Sequence, residues 1–212
     1  MIGQVEACLR DLRRDAVDLM QIHSGVDPAK RSATLPVLQR LREQGKVRHL
    51  GITLGYGPPV PEQAMLCIRS GAYDAIQLHV NALHPVFAGE ILPAARQVGM
   101  GTIAMNPQCG GYLAKRCPAP DLYDLSFLSD LGVTNLHEAA LKWCLSLDCL
   151  DVAIPGSKRP EHIRANCAVS DGRRMTPAQM HRFVDMLAGT IDTSNDWDWT
   201  PDVHTSPAIP GG

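Results

Sequence analysis

Apolar positions along the chain follow two alternating rhythms. Val5, Cys8, Leu9 and Leu12 recur at the three- and four-residue spacing of one helix face and predict a helix there. A short apolar run from Ala16 to Ile22 reads as a strand ending at His23, and Asp27-Pro28 breaks the chain. A helix is expected from about Leu35 to Gln44, with Gly45 suited to its C-terminal cap, and a strand from Val47 to Ile52. Pro61 to Ser70 reads as a helix closed by Gly71, and Tyr73 to Leu78 as a strand. Ala88 to Val98 reads as a helix framed by Gly99 and Gly101, and Thr102 to Met105 as a strand. Thr134 is placed to cap a helix that carries Leu136, Ala140, Trp143 and Leu147 on one face. Asp151 to Ile154 is a strand, and Pro160 suits the first position of a helix reaching about Cys167. Thr176-Pro177 opens a last helix with Met180, Phe183, Val184 and Leu187 on one face.

This order is a helix, then strand and helix alternating through five strands, then a terminal helix. Strict alternation implies parallel strands joined by right-handed crossovers. A doubly wound open sheet and a (β/α) barrel both satisfy it, and periodicity does not separate them. No GxGxxG follows the first strand, which weighs against a dinucleotide-binding open sheet. The partial barrel is expected to occupy residues 1–190. Residues 191–212, rich in Pro, Ser, Thr and Asp, read as a flexible tail onto which Trp197 and Trp199 could bring some packing.

Composition changes this picture little. With 212 residues and 45% hydrophobic content the chain suits one domain or a large part of one barrel. The formal net charge is −2, and Lys and Arg are scattered among acids, so no nucleic-acid partner is expected. No apolar run reaches the roughly 18 residues that span a membrane. The N-terminal stretch is neither a signal peptide nor a typical transit peptide, and the expectation is a soluble cytoplasmic protein. The seven cysteines include no CxxC pair, and most sit in apolar stretches. They read as small hydrophobes in a reducing compartment, with no metal site.

Four strings are more specific. QVEACLRDLRRDAVDLMQIH, LREQGKVRHLGIT, ILPAARQVGMGTIAMNPQCGGYL and VAIPGSKRPEHIRANCAV occur in this order over nearly the whole chain to Val169. Together they resemble the aldo-keto reductase family. The resemblance implies an α/β fold of the TIM-type (β/α)8 barrel class, here a partial barrel of about five βα units plus a C-terminal helix. It also implies NADPH (or NADH) bound at the C-terminal ends of the strands, where such barrels place their chemistry. Ala16–Ile22 falls on the family's fourth strand and Asp151–Ile154 on its eighth.

By this resemblance His23 is the family's catalytic histidine, which hydrogen-bonds the substrate carbonyl and polarises it for hydride attack. Gln77, in AIQLHVN, is the glutamine that bonds the nicotinamide carboxamide, a task suited to an amide that both donates and accepts. Thr53 keeps the hydroxyl of the serine in the family's usual GVSNF, whereas Leu54 loses the amide of its asparagine. Met105 replaces the tyrosine that stacks on the nicotinamide ring, and Gly110 with Gly111 lets backbone approach the pyrophosphate. Ser157, Lys158 and Arg159 precede a helix N-terminus, a setting that favours anions, and the two cations fit a 2′-phosphate and so NADP. His162 stands where the family often has arginine or glutamine. Asn166 matches an adenine-contacting asparagine, preceded by Ala165 in place of an acid.

The family's general acid is a tyrosine tuned by a lysine and an aspartate. Tyr56, Tyr73, Tyr112 and Tyr123 all lie outside that tyrosine motif, so of the four catalytic residues the sequence carries His23. The expectation is therefore an NADP-dependent reductase of a small aldehyde or ketone in its complete form, with the 212 residues as they stand a truncated piece, weakly active or inactive. Open parallel strand edges would favour self-association or a homo-oligomer. Two alternatives stand beside this reading. One is a non-catalytic NADP-binding or interaction protein. The other is a lyase or cyclase using His23 and His79 as acid–base groups.

Overall fold

The computed structural model describes residues 2–23, 27–55, 59–83, 85–109, 113 and 123–190. The elements are α1 (Ile2–Leu12), β1 (Val17–Ile22), α2 (Pro28–Glu43), β2 (Val47–Thr53), α3 (Val60–Ser70), β3 (Ala75–His79), α4 (Val86–Gly89) and α5 (Ile91–Gln97). They continue with β4 (Gly101–Met105), a 3-10 turn (Ser126–Leu131), α6 (Leu136–Leu145), β5 (Val152–Ile154), α7 (Pro160–Val169) and α8 (Pro177–Thr190). The strand order is β1-β2-β3-β4-β5. β1 pairs with β2, β2 with β3, and β4 with β5, each in parallel. All five predicted strands are present. The stretch read as a tail, with Trp197 and Trp199, lies outside the described residues.

The chain divides into two compact units. The first holds the residues up to Leu78 together with Ala94–Gly101. Its middle strand, β2, is buried on both faces toward its C-terminal end, as expected for a strand flanked by parallel neighbours. Leu50 and Ile52 of β2, Leu41 of α2 and Ile76 of β3 are fully inaccessible. Each such side chain stabilises the fold by on the order of 2 kcal/mol. Val5 and Leu9 of α1 and Ala64, Cys67 and Ile68 of α3 complete this core.

α2 begins two turns earlier than its apolar rhythm suggests. Asp27 does not break the chain but caps the helix, its side chain accepting from the Ala29 N–H at 2.9 Å, with Pro28 following at the first helical position. The first two turns, PAKRSA, are mostly polar and so lack the periodicity that marks the rest. Gly45 closes the helix at φ +72°, where a glycine costs least. Cys8, read as a core residue, is exposed.

The second unit holds His79–Pro93 and the residues from Thr102 onward. α6 buries Leu136, Ala139, Ala140, Leu141, Trp143 and Cys144, and α8 buries Met180, Phe183 and Leu187. The helix expected over Ala88–Val98 is two helices. Pro93 has no N–H for the carbonyl of Gly89, which ends α4, while the same proline sits harmlessly in the first turn of α5. The cap of α6 is Asn135 rather than Thr134. Its side chain accepts from the Glu138 N–H at 3.0 Å, and Glu138 in turn accepts from the N–H and hydroxyl of Thr134.

Lys142 of α6 is buried, and its ammonium donates to the Val169 carbonyl at 2.6 Å, the Asp171 carboxylate at 2.6 Å and the Arg173 carbonyl at 3.2 Å. It therefore places a cation at the C-terminal end of α7, where the helix dipole favours one. The Lys142 and Arg173 cations hold the Asp171 carboxyl well below the usual carboxylate range. No described helix is long and apolar enough to cross a membrane.

Candidate functional site

In the first unit, strand register sets the predicted residues level with one another. Ile22 of β1 pairs with Ile52 of β2, so His23 and Thr53 are the next residues along each strand. Thr53 itself pairs with Gln77 of β3. His23, Thr53 and Gln77 thus lie at one height across three successive strands: His23 just past the end of β1, Thr53 at the end of β2 and Gln77 two residues before the end of β3. His23 is exposed in the turn after β1, and Thr53 is buried. The Leu54 N–H donates to the Gln77 carbonyl at 3.0 Å, and the Leu54 side chain is fully buried. Leu54, read above as replacing an asparagine by resemblance, is a core residue.

Gln21, two residues before His23, donates from Nε2 to the Oε1 of Gln77 at 2.9 Å. Sequence reading passed over it. The available signal was a polar residue inside an otherwise apolar strand.

In the second unit, Met105 ends β4, half-buried and paired with Ile154 of β5. The backbone then turns sharply. Asn106 and Cys109 adopt left-handed conformations, at φ +51° and +58°. Such conformations are costly for residues other than glycine and persist where neighbours hold them. Here the neighbours come from the end of β3. Asn81 Nδ2 donates to the Asn106 carbonyl at 3.2 Å, and Asn106 Nδ2 donates to His79 Nδ1 at 2.9 Å. An amide nitrogen only donates, so His79 Nδ1 accepts and its ring is neutral. Burial pushes the His79 ring down to about 4. The histidine weighed above as an acid–base group thus holds the turn after β4. Gly110 lies outside the described residues, as do Gly111, Tyr56, Tyr112 and Cys117.

Beyond β5, Ser157, Lys158 and Arg159 form the turn into α7. Ser157 Oγ accepts from the Arg159 N–H at 3.1 Å, Arg159 is the extended cap residue, and Pro160 opens the helix as expected. Lys158 and Arg159 are exposed, as is His162, one turn further on. Asn166 is half-buried on the same helix. Gln108 donates from Nε2 to Asn166 Oδ1 at 2.8 Å and to the His137 carbonyl at 3.3 Å, which ties the turn after β4 to α7 and α6. The His137 ring is pushed down by burial and by neighbouring His162. Among the described residues no group of His, Cys, Asp and Glu could hold a metal ion.

Five strands in the sequential order β1-β2-β3-β4-β5, joined by helices, are the arrangement of the barrel class of α/β proteins, whereas a doubly wound sheet reverses its strand order. The description of the aldo/keto reductase family matches residues 1–188, and the chain belongs to that family. Human aflatoxin B1 aldehyde reductase member 2 is 31% identical over 113 residues, which are 52% of this chain and 32% of that protein. Pyridoxine 4-dehydrogenase of Escherichia coli is 26% identical over 166 residues, 76% of this chain and 54% of that protein. Among solved structures, aldo-keto reductase AKR11C1 from Bacillus halodurans superposes with a TM-score of 0.67 at 22% identity, covering 91% of this chain and 68% of that one. Glycerol dehydrogenase AKR11B4 from Gluconobacter oxydans gives 0.67 at 22% identity, covering 94% and 67%. The chain spans about a third of the length of the first curated relatives it matches.

Proposed function

We propose that this chain is the cofactor-binding and carbonyl-polarising part of an NADP-dependent reductase of aldehydes or ketones. The observation that carries the reading is the turn into α7. Two exposed cations, Lys158 and Arg159, stand at the N-terminus of a ten-residue helix whose first N–H groups and dipole favour an anion. A phosphate monoester such as the 2′-phosphate of NADP suits that donor set, whereas the bare ribose of NAD leaves both cations without a counter-charge. Asn166 presents an amide on the same helix for the adenine, and Met105 at the end of β4 offers a polarizable side chain.

In the first unit Thr53 and Gln77 are level and supply a hydroxyl and an amide for the carboxamide. His23, at the same height, reaches a substrate carbonyl oxygen with an N–H and draws charge onto it. The bound cofactor would supply hydride. The family's tyrosine, lysine and aspartate motifs do not occur within these 212 residues, so carbonyl reduction is proposed for a body that contains them as well.

The test replaces both cations. Lys158→Ala with Arg159→Ala should raise the NADPH Kd roughly 10- to 100-fold, the size of one or two charge-assisted hydrogen bonds, and change the NADH Kd less than about threefold. Equal losses for the two nucleotides would show that this turn does not read the 2′-phosphate.

A further inference from the structure

We propose that Gln21 is a positioning residue that sets the amide of Gln77 for the nicotinamide carboxamide. The inference rests on the cofactor reading above and deepens it. β1 and β3 are not neighbours, since β2 runs between them. The register places Gln21 opposite Gly51 of β2, and Gly51 opposite Ala75 of β3. A Cβ at position 51 would lie 2.8 Å from Gln21 Cγ and 3.2 Å from its Oε1, closer than a side chain can stand without displacement. The glycine therefore leaves the path by which Gln21 crosses β2 and donates to Gln77 Oε1 at 2.9 Å.

The last torsion of a glutamine is broad, so an untethered amide samples both orientations. With its oxygen turned toward β1, the Gln77 amide is fixed in one sense, its nitrogen at the opposite end, the end that meets a carbonyl oxygen. Gln21 Oε1 is buried and has no hydrogen-bond partner among the described residues. A leucine would fill the same place in this apolar strand with no such unmatched atom, so packing alone does not account for the glutamine. The buried Leu54 adds weight. The family's second amide is missing here, and the orientation of Gln77 governs the amide contact that remains.

The experiment compares two ligands on the 212-residue chain: NADPH, and adenosine 2′,5′-bisphosphate, which carries the adenine and 2′-phosphate without the nicotinamide. Gln21→Leu should raise the NADPH Kd about 5- to 10-fold, one hydrogen bond's worth, with the bisphosphate Kd unchanged. Gly51→Ala, which pushes on the Gln21 stem without touching either glutamine's chemistry, should show the same selective loss. Gln21→Glu should weaken NADPH as much as the leucine variant does, because a carboxylate cannot donate to Gln77 Oε1. An unchanged ratio of the two Kd values in Gln21→Leu overturns the positioning role, as does an equal loss for both ligands. Wild-type chain that binds neither ligand overturns the cofactor reading itself and the inference with it, an outcome distinguishable from the other two.

Discussion

His79 shows how a single side chain ties the site to the solvent. It is 4% exposed, and its Nδ1 accepts from Asn106, so folding keeps the ring neutral well below the pH at which a free histidine gains its proton. Between about 6.5 and about 4 the unfolded chain binds a proton that the folded chain refuses. Stability therefore falls as pH drops through that window, by up to about 1.4 kcal/mol per pH unit for one histidine. His137 acts in the same direction, and the depressed Asp171 carboxyl adds a further loss only below its ordinary value of 3.8. Urea titrations of His79→Gln between pH 4 and 7 should show a flatter stability–pH curve than wild type. Identical slopes would mean that His79 takes up its proton alike in the folded and unfolded chain. Most of the assigned side chains could be read from local strings, because motif residues keep their neighbours. Gln21 and Gln108 could not, since each is defined by a partner 56 or 58 residues away and takes its role from strand register and helix placement.

The helix that presents Lys158 and Arg159 is held chiefly at its far end. Val169 is the only residue of α7 that is buried, so packing anchors the helix weakly, and Lys142 compensates by gripping the Val169 carbonyl and the following turn. Lys142→Met keeps the buried stem and removes three hydrogen bonds, leaving Asp171 with Arg173 at the surface. Thermal melting should fall by roughly 4–10 °C, and the NADPH Kd should rise while both cations remain in place. A loss of melting temperature with unchanged affinity would mean that α7 holds its position without this grip. All five strands were legible because each is a short apolar run bounded by breaks. The helices were less so. The polar first turns of α2 hid its start, and the consequence of Pro93 for the Ala88–Val98 run appears only once the carbonyl it fails to reach is identified. The 3-10 turn at Ser126–Leu131 carries too little periodicity to announce itself.

At the scale of the whole molecule the family is established by a match over residues 1–188, and the fold by superposition on solved structures. Within the first unit His23, Thr53 and Gln77 lie at one level. Within the second, Lys158 and Arg159 stand exposed at the N-terminus of α7, a setting that favours an anion. The most direct measurement is a titration of the purified 212-residue chain with NADPH and with NADH, followed by cofactor fluorescence. Saturable binding with NADPH preferred by about tenfold or more is the predicted result. A folded chain that binds neither nucleotide, or both equally, would contradict the claim that this body holds an NADP site.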